Sequence, residues 1–395
     1  MKSRIRNELK NIDYPLLIIY VFLLGFGLVM VYSSSMDKAI SNNNSYDFYY
    51  NRQRVSMLVA LIAFTIMSII PYRLYLKKHW MFIGMAIVGI MYLQLTFMGA
   101  GKDIGGQRWI KLFGVVQFQP SEFVKLFMIV YLANTLASKE ERFGRLPLEG
   151  ALGTVAPIVM ATGLILSEPD IGTAAILLAM SYCILLAVQW RPSALKKIAV
   201  TTVGGISFVA LFLLLGGGQW LLEGNREGRL NSFVDPFKYA QNEGMQVVQS
   251  YLAFATGGLK GQGIGQSVQK LGYLPEPHTD FIIAIIAEEL GIIGVTIVLG
   301  GLGYIVLHAI LIGIRAINPR ERFLAIGIAS WIGIQTFVNI GGATGLIPLT
   351  GVTLPLLSFG GVSLLMVSTA LGILMNVSMK QKREKRARNL AQQTD

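Results

Sequence analysis

Apolar positions gather into ten runs, near residues 15–33, 55–71, 80–98, 120–138, 151–167, 171–189, 198–216, 281–314, 323–343 and 358–377. The first, YPLLIIYVFLLGFGLVMVY, is long enough as a helix to cross the ~30 Å hydrocarbon layer of a bilayer. The pattern predicts an all-α integral membrane protein, a bundle of ten transmembrane helices built from residues 1–395 as a single polytopic domain. Two runs need separate treatment. The run 281–314 would extend ~51 Å at 1.5 Å per residue, more than one crossing needs. It reads as one long, tilted or projecting helix, because splitting it makes eleven spans and moves the C-terminal tail to the opposite side. The stretch TGLIPLTGVTLPLLSFGG carries Pro348, Pro355 and several glycines, so its first half is expected to be irregular. Such backbone survives at membrane depth only when buried in protein or lining a wet cavity, and it is expected to fold over the outer mouth of the bundle.

Charge decides which mouth is outer. With the N-terminus inside, 22 of the 34 Lys and Arg residues fall on the inner side and 11 on the outer, with Lys125 inside a span. That bias fits the positive-inside rule. Residues 1–13 and the basic tail 378–395, with its KQKREKRAR, are then cytoplasmic, and the tail is placed to lie against anionic lipid. The connection 217–280, between helices 7 and 8, becomes a large extracellular loop, expected to rest short amphipathic helices at the outer interface. A hydrophobic share of 53%, a charged share of 14% and a mean hydropathy of +0.56 agree with this class. The net charge of +12 does not point to nucleic acid, since the cations sort by loop and not onto one face. The basic head MKSRIRNELK precedes an apolar run too long for a signal core and lacking a small-residue cleavage site, so the run reads as a retained anchor. Cys183, the single cysteine, reads as a packing residue within a span. The glycines of GGLKGQGIG lack the Lys-Ser/Thr pair and preceding strand of a phosphate loop.

Against this background the ionisable positions stand out, because such groups are costly within spans and either pair or line functional cavities. Glu122 and Lys125 share a helix face and are spaced for an ion pair. That pair is either structural, or Lys125 reaches past Glu122 towards an anionic substrate. Asp170, in SEPDIGTA, precedes an apolar helix as an N-cap does, whereas Glu168 beside it has no such explanation. Lys102, Arg108 and Lys111 bring cations to the same outer side, suited to a phosphorylated headgroup. The stretch LGYLPEPHTDFIIAIIAEELG holds four carboxylates, Glu276, Asp280, Glu288 and Glu289. Thr279 or Asp280 is placed to cap the helix that follows, which leaves Glu276 and His278 unexplained. Glu288 falls ~12 Å deeper than Asp280 and about 80° around the helix. Glu289 points nearly opposite to Asp280, so one of the two adjacent acids is expected in a structural pair with another span. His278 has no second histidine nearby and gives no zinc signature. These residues describe an outward-facing site near Asp280, floored by membrane and flanked by cations, suited to an amphiphilic substrate.

The motifs QRWIKLFGVVQFQPSEFVKLF, EPDIGTA, QVVQSYLAFATGGLKGQGIGQS, LPEPHTDFIIAIIAEELG and GLIPLTGVTLPLLSFGG, in that order, resemble the SEDS family of membrane peptidoglycan polymerases (shape, elongation, division and sporulation). GFGLVMVYSSS and GVTLP resemble the division branch more than the rod-elongation branch. The resemblance implies a ten-span glycosyltransferase that polymerises lipid II on undecaprenyl-pyrophosphate-linked glycan at the outer face of the cell membrane, at the division septum. It implies a class B penicillin-binding protein and other division proteins as partners. Asp280 matches the acid of the family's HTDF motif, regarded as catalytic, and Glu122 and Lys125 match its QPSE-x-x-K motif. Asp170 matches the aspartate of QPDLGT, with Glu168 standing where glutamine is usual; Phe359 and Val362 depart from the usual SYGGSS. Inversion at the anomeric carbon asks for a base, assigned to Asp280, while Lys125 and Arg108 are placed to steady the pyrophosphate, with a divalent cation such as Mg or Mn as a possible companion. His278 and Glu288 stand as supporting residues. A lipid II flippase, a rod-elongation polymerase in place of a septal one, and a non-catalytic division scaffold remain as alternatives.

Overall fold

The computed structural model describes residues 11–98, 108–112, 116–168, 170–200, 202, 232–241 and 244–394. The chain enters α1 (Tyr14–Ser41), continues through α2 (Phe48–Ile69) and α3 (Lys78–Met98), and makes a two-stranded antiparallel hairpin of β1 (Ile110–Leu112) and β2 (Val116–Phe118). It then runs through α4 (Pro120–Phe143), α5 (Leu148–Ser167), α6 (Ile171–Leu186) and the shorter α7 (Met245–Gly257). The bundle closes with α8 (Ile282–Arg315), α9 (Pro319–Ala343) and α10 (Gly361–Thr394). Local sequence starts these helices. Proline sits in the first turn of α1, α4 and α9, where its missing N–H costs nothing, and Asn318 caps α9 by accepting from Arg320 N at 2.9 Å.

Among the described residues α1, α2, α8, α9 and α10 are long and apolar enough to cross a membrane, and 79–95, 153–167 and 171–186 form shorter apolar helices. The expected seventh run is helical over 192–200. Its remainder, residues 1–10, Lys102 and the loop positions 217–231 lie outside the described residues. α9 is the central helix, packed on α4, α6, α8 and α10. Lipid is as apolar as leucine, so close approach comes from small residues. At Gly327 an added Cβ would sit 2.8 Å from Ile129 and 2.9 Å from Ile184, which is how α9 nests between α4 and α6.

Two polar layers bracket this apolar bundle. In one, Asp13 accepts from Ser378 and bonds His308 Nε2 at 2.8 Å, with Lys382 Nζ at 3.2 Å. The same layer holds the Tyr72–Glu321 bond of 2.7 Å, Lys380 on Glu321, and Arg322 on Glu140 at 2.6 Å. In the other, Glu289 is held by Lys270 Nζ at 2.7 Å and by Ser33 Oγ at 2.7 and 2.8 Å. From Asp13, the N-cap of α1, to Ser33 the rise is ~30 Å at 1.5 Å per residue, one hydrocarbon thickness. Among the described residues, Asn11 lies beside the first layer, bonded to Arg386, and α10 continues past that layer.

The run 281–314 forms one long helical element, as expected, but with a break inside it. α8 is broken at Gly291, which has φ 65° and ψ −161°. The cause is a backbone docked into the break: Ile292 N donates to Gly258 O at 3.0 Å, Gln262 N to Glu288 O at 2.9 Å, and Gly263 N to Glu289 O at 2.9 Å. A Cβ on Gly261 would lie 2.2 Å from Glu289 O, so side chains are excluded where the two backbones meet. The glycines of GGLKGQGIG therefore satisfy a broken helix, consistent with their failure as a phosphate loop.

Both adjacent acids, and not only one, are structural. Glu289 makes the pair expected with another span, while Glu288 accepts from Ser267 Oγ, from Val268 N at 3.0 Å and from Gln269 N at 3.3 Å. Replacing Glu289 with Gln strands the buried Lys270 ammonium, and breaking such a pair costs ~3–5 kcal/mol. The expected result is a marked loss of thermal stability in detergent, recovered in good part by Glu289→Gln combined with Lys270→Met.

Candidate functional site

The stretch TGLIPLTGVTLPLLSFGG is irregular between α9 and α10, as anticipated, and its second half is inserted into the bundle. Leu354, Leu356 and Leu357 are buried, and Gly27, midway along α1, lies where an added Cβ would be 2.7 Å from Leu356 O. Leu356 has φ 67°, unusual for a residue with a Cβ. Polar side chains on α9 receive the inserted backbone. Gln335 Nε2 donates to Thr353 O at 3.0 Å, and Asn339 Nδ2 donates to Val352 O at 2.7 Å.

Asp280 sits against this insert. The carbonyls of three successive residues are captured: His278 O by Phe359 N at 2.8 Å, Thr279 O by Ser358 Oγ at 2.6 Å, and Asp280 O by Asn339 Nδ2 at 2.8 Å. Asp280 does not cap α8, whose N-cap is Phe281 with no side-chain capping bond, and Thr279 Oγ1 turns back to Glu276 at 3.2 Å. The half-buried Asp280 carboxylate lines a small cavity with Asn339, Thr350 and Gly351, and a Cβ on Gly351 would be 3.4 Å from its Oδ2.

The other sequence-predicted residues fall around this point in different ways. Asp170 caps α6, accepting from Thr173 N at 3.0 Å and Thr173 Oγ1 at 2.9 Å, and Gln119 Nε2 reaches it at 3.3 Å. The next turn brings Gly172 against Thr350, with an added Cβ 2.7 Å from its Cβ, so the Asp170 helix end touches the insert beside Asp280. Glu168 is buried, and Arg108 Nε donates to its carbonyl at 3.2 Å. Burial pushes its carboxyl up to about 8, Asp170 adding to the rise while Tyr92 and Arg108 oppose it. Glu168 is therefore mostly neutral at pH 7. His278 is buried against Tyr49 and Phe359, with ring centroids at 4.5 and 5.5 Å. Burial, and then Lys38, lower it from 6.5 to about 4, so it is a neutral aromatic wall and supplies no cation. Its lowered value means that stability falls as pH drops from about 6.5 towards 4, where the unfolded chain takes the proton first.

Lys125 differs from its expected reach. It is fully buried on α4, donating to Glu122 Oε1 at 2.7 Å and to Gln335 Oε1 at 2.8 Å, with Nζ 5.1 Å from the Trp331 ring centre. Gln335 also accepts from Trp331 Nε1 at 2.7 Å. Lys125 thus acts on the insert through Gln335. Glu288 is drawn away to the loop of Ser267. The structure brings together Asp280, Asp170 and, through Gln335, the Glu122–Lys125 pair, with Glu168 and Arg108 beside Asp170. Among the described residues no group of three His, Cys, Asp or Glu side chains is arranged to hold a metal ion. Gln335 and Asn339 were not singled out by the sequence reading, although two amides one turn apart in an apolar helix are a legible sign.

The chain is similar to proteins of one kind. A family profile described as cell cycle protein, FtsW/RodA/SpoVE, matches residues 14–383. The "Probable peptidoglycan glycosyltransferase FtsW" of Bacillus subtilis (strain 168) is 42% identical over 378 residues, covering 95% of this chain and 92% of that protein. A protein of the same name from Trichlorobacter lovleyi (strain ATCC BAA-1151 / DSM 17278 / SZ) is 36% identical over 373 residues, covering 94% of each. Among solved structures, the rod shape determining protein RodA of Thermus thermophilus aligns with a TM-score of 0.61 at 22% identity, over 94% of this chain and 97% of that one. A chain from a structure on polymerization and crosslinking by a peptidoglycan synthase complex aligns with a TM-score of 0.69 at 23% identity, over 94% and 98%. The structural likenesses carry the fold; with the profile and the sequence relatives, they mean that this chain belongs to the FtsW/RodA/SpoVE family of cell cycle proteins.

Proposed function

We infer that this chain is a membrane peptidoglycan glycosyltransferase of the division type, which polymerises lipid II with Asp280 as the general base. The division assignment rests on relatives named FtsW at 42% and 36% identity, against 22% for RodA. One observation carries the mechanism: three successive carbonyls from His278 to Asp280 are pinned by the insert and α9, while the Asp280 carboxylate, not used as a helix cap, lines a cavity. A carboxylate on so fixed a backbone is organised for a task beyond closing a helix.

In the reaction the acceptor sugar's 4-hydroxyl attacks the anomeric carbon of the polyprenyl-linked glycan. A C–O bond forms on one face and the bond to the pyrophosphate breaks on the other, so the configuration inverts. The hydroxyl proton passes to Asp280 as its oxygen loses electron density to the new bond. The polyprenyl pyrophosphate leaves as an anion and needs no proton. Arg108, beside Asp170 and Glu168, supports that charge, while the buried Lys125 sets the local potential and holds Gln335 under the insert. A divalent cation on the pyrophosphate would supply further neutralisation of the leaving charge.

The two polar layers and the basic tail support an orientation in the membrane. The layer of Asp13, His308 and Lys382, from which the basic tail departs, is the cytoplasmic one, and Asp280 lies beyond the opposite layer, at the outer face of the cell membrane. The chain is one ten-span domain, with 1–13 and 378–395 cytoplasmic and 217–280 extracellular. A class B penicillin-binding protein is its partner for crosslinking, working at the septum. The site residues cluster at one end of the bundle, which suits surface chemistry better than passage of lipid II across it. Purified protein with its partner in proteoliposomes, given labelled lipid II, is expected to release long glycan strands; transfer of lipid II between leaflets without polymer would support the flippase instead.

A further inference from the structure

We propose that Asn339 is a positioning residue for the reaction: its amide ties the Asp280 backbone to the inserted segment and so sets where the Asp280 carboxylate stands. The proposal rests on the reading of Asp280 as the base.

One amide nitrogen makes both links, donating to Asp280 O at 2.8 Å and to Val352 O at 2.7 Å. Two carbonyl acceptors fix which end of the amide points where, since only the nitrogen donates. Val352 is the neighbour of Gly351, whose own Cβ position lies 3.4 Å from Asp280 Oδ2. The Asn339 side chain therefore links the strand of chain that carries the carboxylate to the strand that walls it, at the residue that bears the carboxylate, while Phe359 N and Ser358 Oγ hold the two carbonyls before it. Asp280 stands one residue before the N-cap, outside the helix ladder that would otherwise hold its carbonyl.

The plain alternative is helix glue, a buried amide that only stabilises packing. A residue kept for stability alone would be satisfied at both ends of its amide. Asn339 is 4% exposed, yet its Oδ1 has no hydrogen-bond partner among the described residues, and the side chain lines the same small cavity as Asp280. Leaving a buried acceptor unmade is costly. Placing this amide at the cavity fits positioning better than stability.

The test compares lipid II polymerisation by wild-type protein with Asn339→Ala, the near-isosteric Asn339→Asp, and Asp280→Asn, each purified with its partner. Small displacements of a catalytic group cost up to about 100-fold in rate. The expected result is a fall in kcat of about 10- to 100-fold per folded molecule for both Asn339 variants, with KM for lipid II close to wild type and some loss of thermal stability from the two carbonyls left unmade. Asn339→Asp covers the case in which Asn339→Ala does not fold, because it keeps shape while exchanging the donor for an acceptor. Full kcat in either folded Asn339 variant, beside an inactive Asp280→Asn, overturns the positioning role and leaves the base assignment intact. Loss of activity only in proportion to loss of folded protein overturns it too. An active Asp280→Asn removes the underlying reading.

Discussion

Asp280→Asn is expected to abolish glycan polymerisation while leaving insertion, folding and partner binding as in the wild type. The substitution keeps the volume and shape of the side chain and removes its negative charge and with it the capacity to take a proton. The contacts that hold this part of the chain, from Phe359 N, Ser358 Oγ and Asn339 Nδ2, all end on backbone carbonyls and survive the change. Loss of general base catalysis alone costs ~10²–10⁴-fold, which in a processive polymerase removes visible product. Asp280→Glu keeps the base but moves it by one methylene inside a small walled cavity, and a weak residual rate is expected. The check is polymer length and yield from labelled lipid II, with binding to the partner measured on the same preparation. Wild-type strands from Asp280→Asn would take this residue out of the mechanism.

The second large effect concerns Lys125. Lys125→Ala is expected to lose both activity and folded yield, because it leaves Glu122 buried beside an emptied site and frees Gln335 from one of its links. Stranding one member of a buried pair costs ~3–5 kcal/mol, whereas replacing both by apolar or neutral groups of similar shape is often close to neutral. Glu122→Gln combined with Lys125→Met should therefore recover folding. Activity should stay low, since neither the buried positive charge nor its hydrogen bond to Gln335 returns. Size-exclusion behaviour and thermal stability report the first part, and polymer yield the second. A double variant with normal polymer yield would reduce the pair to scaffolding.

Much of the fold was readable because a bilayer leaves few options. Apolar runs long enough to cross it must be helices, and α1, α2, α9 and α10 lie close to the runs that predicted them. The break in α8 was not readable from its own run, since glycines recur along it, at 294, 300, 301, 303 and 313 as well as 291, and only the one at 291 breaks the helix. Its cause lies in GGLKGQG, a segment of small residues whose backbone fits the gap only once the two are folded together. The hairpin of 110–118 was missed because its strands are three residues each, too short for an alternating signal. Asp170 was legible as a cap and is one. The Glu122–Lys125 pair was legible as a pair, but its seal under Trp331 and Gln335 depends on a helix some two hundred residues later. Gln335 and Asn339 had a sign in the sequence, polar amides within an apolar helix, that points to function only when their acceptors are known.

The most direct test of the account is a structure of the Asp280→Asn protein, with its partner, holding lipid II and a polyprenyl-pyrophosphate-linked glycan. The account predicts the acceptor 4-hydroxyl within about 2.6–3.2 Å of the side chain at position 280, on the side of the bundle away from Asp13 and His308. An acceptor hydroxyl bound beyond the reach of that side chain, or at the end of the bundle carrying the chain termini, would contradict it.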